Sequence, residues 1–276
     1  MHSIPGEHEI VGVTSLDDKL YVLRAGQSFI DVHSTTDFAK LNRLTVSEMR
    51  NPSDTASCER KKCLYISESS RMCIHRLQLH GSVSTNISKW PLTDEPSGLS
   101  VTTTGNVLTA CRKQVRGWTG SYIYHYILEL NGDDGKHVRQ IEMQADMNKF
   151  TLQHSIQLST DKFVTCHTNH LDTHRVCTVG VDGKVTRSYR GSDVGQLGNP
   201  CHLAVDTDSQ FIFLADKRSH RVVLLSPTLE FVRHISEGVH SEPQRLHYDP
   251  VKQRLYIGLR GGRVTVLQLF CVELVS

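Results

Sequence analysis

The chain has 276 residues, with 31 Lys and Arg against 29 Asp and Glu, a formal net charge of +2 and a mean hydropathy of −0.31. That balance excludes a strongly basic nucleic-acid coat, and no apolar run approaches the roughly 18 residues that a membrane-crossing helix needs. Met1 to Val13 shows no basic segment followed by an apolar stretch, so no secretory leader is read, and the eight cysteines are expected as reduced thiols of a cytoplasmic protein.

In chain order, one phrase recurs six times: a short alternating run, a polar turn, and a continuous apolar run. The first member is read at Ile10 to Thr14, Thr55 to Cys58, Gly98 to Thr102, Ser155 to Ser159, Pro200 to Asp206 and Leu246 to Asp249. The second begins at Leu20, Leu64, Val107, Phe163, Ile212 and Leu255, so four of the five intervals fall between 43 and 49 residues and one is 56. Short strands repeating every 40 to 50 residues or so mean propeller blades. The expected fold is therefore all-β, a six-bladed propeller of four-stranded antiparallel blades filling one domain over 1–276. The blades are placed at approximately 9–46, 54–90, 96–143, 154–191, 200–236 and 243–276.

Within the first members, Val11/Val13, Leu99/Val101, Ile156/Leu158 and Leu246/Tyr248 carry bulk on one phase. Gly12, Ala56, Ser100, Gln157 and His247 fill the other, as blades crowding a central channel require. The second copy is the weakest, with Thr55 and Ser57 where aliphatic residues are expected. The 56-residue interval marks an insertion, Gln114 to Tyr126, in which Tyr122, Tyr124 and Tyr126 alternate onto one strand face and Trp118 stands at a loop tip.

The fifth copy carries a family resemblance. Pro200-x-x-Leu203-Ala204-Val205-Asp206, then Phe213-Leu214-Ala215-Asp216, then His220-Arg221-Val222 resembles an NHL repeat, the unit of six-bladed propellers at the C-terminus of many tripartite-motif proteins. Pro96-Ser97-Gly98-Leu99-Ser100-Val101 and His174-Arg175-Val176 repeat parts of it. The resemblance implies a non-catalytic module that recognises macromolecules, in a parent class where the propeller selects substrates for ubiquitin transfer by an upstream RING and B-box.

Closure of the ring is read two ways. Residues 1–8 contain Pro5 and Gly6 and make a poor strand, so either they supply the outer strand of the sixth blade or sequence outside this chain completes it. The second reading is preferred, with the last blade incomplete and the chain a piece or variant of a longer protein.

In an up-and-down blade the connections after the second and fourth strands open on one face of the disc and the other turns on the opposite face. The first face collects Arg24, Arg71, Arg112, Lys113, Arg116, Lys217, Arg218 and Arg260, with His170 and His220 nearby; these cations other than Arg71, with Trp118, form the candidate partner-binding residues, and the second face collects turn aspartates, so the disc is expected to be electrically two-sided. Arg221 and Arg175 are expected to pair with Asp216 and Asp172 as scaffold. His154, His202 and His247 come from successive inner strands, but at unequal offsets, and are read as channel fillers rather than zinc ligands; no metal, cofactor, catalytic residue or small-molecule substrate is assigned. A protein partner, such as a ubiquitination substrate, ranks first. Single-stranded RNA ranks second, because aromatic residues beside cations stack bases and neutralise phosphates. A metal-dependent propeller hydrolase or lyase is the remote alternative.

Overall fold

A computed structural model describes residues 1–80, 83–117, 120–192 and 195–269. After β1 (His2–Ile4), blade 1 runs outward from the axis through β2 (Ile10–Leu16), β3 (Lys19–Arg24), β4 (Phe29–Ser34) and β5 (Lys40–Thr45). Blade 2 is β6 (Asp54–Cys58), β7 (Cys63–Glu68), β8 (Cys73–His80) and β9 (Val83–Pro91). Blade 3 is β10 (Glu95–Val101), β11 (Val107–Gly117), β12 (Gly120–Leu130) and β13 (His137–Glu142). Blade 4 is β14 (Thr151–Ser159), β15 (Lys162–Thr168), β16 (Arg175–Gly180) and β17 (Val185–Tyr189), followed by a two-residue ribbon, β18 (Gly191–Ser192) with β19 (Gly195–Gln196). Blade 5 is β20 (Pro200–Val205), β21 (Ile212–Asp216), β22 (Arg221–Leu225) and β23 (Phe231–Ile235). Blade 6 combines β24 (Pro243–Asp249), β25 (Arg254–Leu259) and β26 (Val264–Gln268) with β1. The described residues thus form six four-stranded antiparallel blades.

The core is divided into six apolar seams, each between two successive blades. Tyr21 and Leu23 pack with Leu64 and Ile66 of blade 2, while Leu20 and Val22 pack with Tyr256 and Val264 of blade 6. Both faces of every second strand are therefore buried, which explains why these strands read as continuous apolar runs. The sixth seam, between blades 6 and 1, makes the array a closed ring.

Closure corrects the preferred reading of residues 1–8. His2, Ser3 and Ile4 pair with Val266, Thr265 and Val264, and Ile4 is buried in the last seam, so the N-terminal segment completes the sixth sheet and covers the edge of β26. Pro5 and Gly6 lie beyond this strand and do not obstruct it. Arg24 locks the junction: its guanidinium donates to the carbonyls of Gly262 (2.6 Å) and His8 (3.2 Å) and pairs with Asp31 at 3.2 Å.

The small positions of the inner strands have the expected cause. A Cβ on Gly12 would lie 2.6 Å from Thr55 Cγ2, and one on Gly98 would lie 2.4 Å from His154 Cδ2. The polar second copy is also accounted for. Thr55 donates to Tyr65 O, and Ser57 accepts from Thr14 (2.7 Å) and donates to Ser15 O (2.7 Å), so hydrogen bonds replace apolar contact at the seam of blades 1 and 2. Among the described residues no helix is long and apolar enough to cross a membrane.

Candidate functional site

Six blades converge on a buried polar hub in the channel. Asp54 is 1% exposed, and its carboxylate accepts the backbone N–H groups of Thr55 (2.9 Å) and of Leu99 in blade 3 (2.8 Å). His202 Nε2 of blade 5 lies 3.2 Å from Oδ2 and His154 Nε2 of blade 4 lies 3.8 Å from it, the two imidazoles facing each other at 3.9 Å between centroids. Arg245 of blade 6 sets Nε 3.2 Å from Asp54 Oδ1 and also donates to Val11 O of blade 1 (2.8 Å). Each blade supplies one group. Burial pushes the Asp54 pKa up, but His202, Arg245 and His154 outweigh it and hold it down to about 2.

Hydrogen-bond accounting fixes what the hub can do. Leu246 N–H donates to His202 Nδ1 (3.3 Å), so the proton of the neutral ring is on Nε2 and points at Asp54. His154 Nε2 likewise donates to Leu99 O (2.9 Å). Burial, with the neighbouring His202, lowers the His154 pKa to about 3, and burial lowers that of His202, so both rings are neutral at physiological pH. Asp54, His154 and His202 lie close enough to surround a metal ion, but such an ion would need the two Nε2 lone pairs that this bonding pattern protonates. The trio does not fit a metal; it joins blades. His247, the third channel histidine, instead meets Ser15 Oγ at 2.9 Å, as its unequal offset implied.

The hub divides the channel. Toward the face that carries the turns between first and second strands, here the lower face, lies a cavity of about 370 Å³ lined by Thr14, Cys58, Ser100, His154, Gln157 and His247 among others. On the upper face a smaller space of about 220 Å³ is lined by Ser53, Ser97, Gln153, Cys201 and Arg245.

A second buried cluster, Glu68, Cys73 and His75, has a structural duty. Glu68 Oε1 accepts the N–H groups of Arg50 (2.7 Å) and Asn51 (2.8 Å) while Oε2 meets His75 Nε2 at 2.7 Å. Asp216 does the same in blade 5, accepting from Gly198 and Asn199 and pairing with Arg221 at 3.1 Å, the expected scaffold pair. Arg175 departs from its expected partner. Its guanidinium lies 3.8 Å from the centre of the Phe150 ring, and Asp172 pairs with Arg218 and His174 instead.

The upper face carries the basic residues, but most are neutralised where they stand. Arg112 pairs with Glu95 (2.9 Å), Arg260 with Glu242 (3.0 Å), Lys217 with Glu242 (3.8 Å) and Arg218 with Asp172 (3.5 Å). Arg24 is 6% exposed and belongs to the ring closure, so it is withdrawn from the partner surface. The lower aspartates are likewise answered by lysines: Lys62 on Asp17 (2.6 Å), Lys184 on Asp182 (2.9 Å) and Lys61 on Asp133. Asp206 follows pure turn chemistry, capping the N–H of Asp208 and the hydroxyl of Ser209. The expected two-sided disc is therefore replaced by two faces of mixed, paired charge.

One feature breaks the upper face. Strand β11 makes its last pair with the inner strand at Arg112, and β12 makes its last pair with the outer strand at Tyr126, yet the two continue together through Gly117 and Gly120. Five further residues of β11 carry this two-stranded arm roughly 17 Å beyond the blade. Its pairs Lys113–Tyr124 and Val115–Tyr122 occupy one side, and Gln114–Ile123 with Arg116 the other. Tyr122 and Ile123 are 56% and 37% exposed, and Arg112, Lys113 and Arg116 are exposed beside them, whereas Tyr126 is buried and donates to Asp94 (2.6 Å). The tyrosine alternation is as read from the sequence; Trp118 lies outside the described residues.

No family model matches the chain, and no curated protein matches it. Among solved structures it is similar to Kuenenia stuttgartiensis hydrazine synthase, at 12% identity over 96% of this chain and 97% of that chain, with a TM-score of 0.69. It is also similar to the β-propeller domain of Myceliophteria thermophila Cps50 (Swd1), at 10% identity over 98% of this chain and 99% of that one, with a TM-score of 0.58. At such identities the likeness carries the fold, a β-propeller.

Proposed function

We propose that this chain is a non-catalytic recognition propeller that binds a protein partner on its upper face, through the projecting β11–β12 arm. The observation that carries the reading is the exposure of Tyr122 and Ile123 beside Arg112, Lys113 and Arg116 on a two-stranded ladder clear of the disc. Tyrosine and arginine anchors dominate protein interfaces. Lys217, Arg218 and Arg260 form the rim around the arm, each next to a carboxylate, a pattern suited to a partner of mixed charge. The near-neutral total and these ion pairs favour protein over RNA, whose phosphates call for unpaired cations. The non-catalytic reading is supported at the hub, where protein groups already occupy the Asp54 oxygens and the Nε2 atoms of both imidazoles. On the NHL resemblance, the partner is a cytoplasmic protein selected for ubiquitination by a larger assembly.

The test is crosslinking and affinity capture from lysate, with and without nuclease, by the chain and by a Tyr122→Ala/Ile123→Ser variant. A specific protein that survives nuclease and whose affinity falls about thirtyfold with the variant supports the reading. Capture that vanishes with nuclease, with affinity falling steeply as salt rises, transfers the surface to RNA.

A further inference from the structure

The first hairpin of blade 2 carries chemistry that neither the hub nor the arm uses. Cys58 ends β6 and Cys63 begins β7, and they are direct cross-strand partners around the turn Glu59-Arg60-Lys61-Lys62. Opposed residues of an antiparallel pair project to the same side with Cα atoms about 4.5 or 5.5 Å apart. Both spacings fall within the window of about 4.4–6.8 Å that a disulfide spans.

The two sulfurs are not equivalent. Cys58 lines the lower cavity of about 370 Å³, whose mouth is formed by the exposed turn residues Glu59, Arg60 and Thr103. Cys63 is fully buried in the seam with blade 3. The Cys63 thiol beside it, then the backbone N–H groups of the turn and the Lys61 ammonium, outweigh burial and hold the Cys58 thiol below the ordinary thiol range. Burial does the opposite elsewhere, pushing Cys73 and Cys166 up, Cys177 to about 11 and Cys111 and Cys201 to about 12. Among the described cysteines, only Cys58 combines access from a cavity, a thiol acidified by its neighbours and a second sulfur in register.

We propose that Cys58 and Cys63 are a peroxide-sensitive dithiol, with Cys58 the attacking sulfur and Cys63 the resolving one. The Cys58 thiolate attacks one oxygen of a hydroperoxide; an S–O bond forms, the O–O bond breaks, and the leaving oxygen takes a proton to depart as water or an alcohol. Cys63 then attacks the sulfenic sulfur; the S–S bond forms, the S–O bond breaks, and the hydroxyl leaves as water with the Cys63 proton. Two thiols are oxidised by two electrons and one peroxide is reduced. The product ties β6 to β7 beside the channel mouth, and a dithiol reductant restores it.

The test uses the whole chain, reduced, exposed to hydrogen peroxide at neutral pH, alkylated and digested with trypsin. Cleavage after Arg60, Lys61 and Lys62 puts the two cysteines on separate peptides, so only a disulfide keeps them together. The expected result is a Cys58–Cys63 linked pair, reversed by dithiothreitol and formed before any other cysteine gains oxygen. Cys63→Ser should stop at a dimedone-trapped sulfenic acid on Cys58. Iodoacetamide should label native Cys58 about tenfold faster than Cys111, a preference that denaturant abolishes. Absence of the linked pair while other cysteines oxidise, or labelling of Cys58 no faster than of Cys111, overturns the proposal. Both readouts come from the unsubstituted chain, so they decide even where Cys63→Ser does not fold.

Discussion

Asp54 and Arg245 are 191 positions apart in the chain, yet Oδ1 of one lies 3.2 Å from Nε of the other at the axis of the ring. The two are not equivalent, because Asp54 is hidden from water whereas Arg245 is partly exposed and also holds the carbonyls of Val11 and Ser53. Arg245→Met should cost about 3–5 kcal/mol in urea unfolding, since it leaves Asp54 as an uncompensated buried ion, and Asp54→Asn should cost less. The double variant should be less damaging than the sum of the two. Simple additivity would mean that the two do not act as a pair.

Acid should loosen the ring well before the carboxylates titrate. His154 and His167 are held to about 3 and His125 and His247 to about 4, with burial the first cause of each and His202 lowered in the same way. The unfolded chain takes up protons as pH falls through 6.5 while the folded chain does not, so this stabilisation is complete above that value and is lost below it. Asp54 acts in the same direction at lower pH, its contribution vanishing as pH falls from 3.8 toward 2. The melting temperature should drop by roughly 10 °C between about pH 7.5 and about pH 4.5. His202→Gln, which keeps a donor for Asp54 but cannot ionise, should flatten the slope; an unchanged slope would remove His202 from the account.

Ring closure predicts a different failure. Arg24→Met removes the donors to Gly262 and His8 but leaves Asp31 with Lys40 and Arg43, so the loss should be about 2 kcal/mol. Ile4→Asp places a charge in the last seam and should detach β1, baring the edge of β26. Light scattering should then show self-association, which Arg24→Met alone does not cause.

Gly98→Ala tests the spacing of the inner strands. The added methyl would meet His154 at 2.4 Å and Gln153 O at 2.7 Å, so it should cost about 1–3 kcal/mol and shift the imidazole resonances of the hub. Tyr122→Ser, on the arm, should leave stability within about 0.5 kcal/mol while weakening partner capture about tenfold, less than the double variant. A Tyr122 variant that unfolds would show the arm to be part of the scaffold.

The blades were legible because burial on both faces imprints uninterrupted apolar runs such as Leu20–Leu23 and Ile212–Ala215. The turn at Asp206 and the Asp216–Arg221 pair were legible because they act within one blade. What escaped was whatever joins one blade to another. Asp54 and Arg245 carry no local mark of their partnership, since a single charged residue in an inner strand reads as solvated until the ring brings its counterpart to the axis. Arg24 was misread for the same reason: its partners, Gly262 O and His8 O, arrive only when the first and sixth blades meet. Charge neutralisation on the two faces was equally hidden, because pairs such as Lys62–Asp17 and Arg218–Asp172 cross between neighbouring units.

The hub also bears on how such a molecule could change over evolutionary time. A propeller made of interchangeable units can grow or shrink by duplicating or deleting one. Here the axis is built from unlike contributions, among them a carboxylate, two imidazoles and a guanidinium, and neither the carboxylate nor the guanidinium can be copied without leaving a surplus charge. A seventh unit would widen the circle and pull Asp54 out of reach of His202, so the number of blades is held by the chemistry at the centre as well as by the length of the chain.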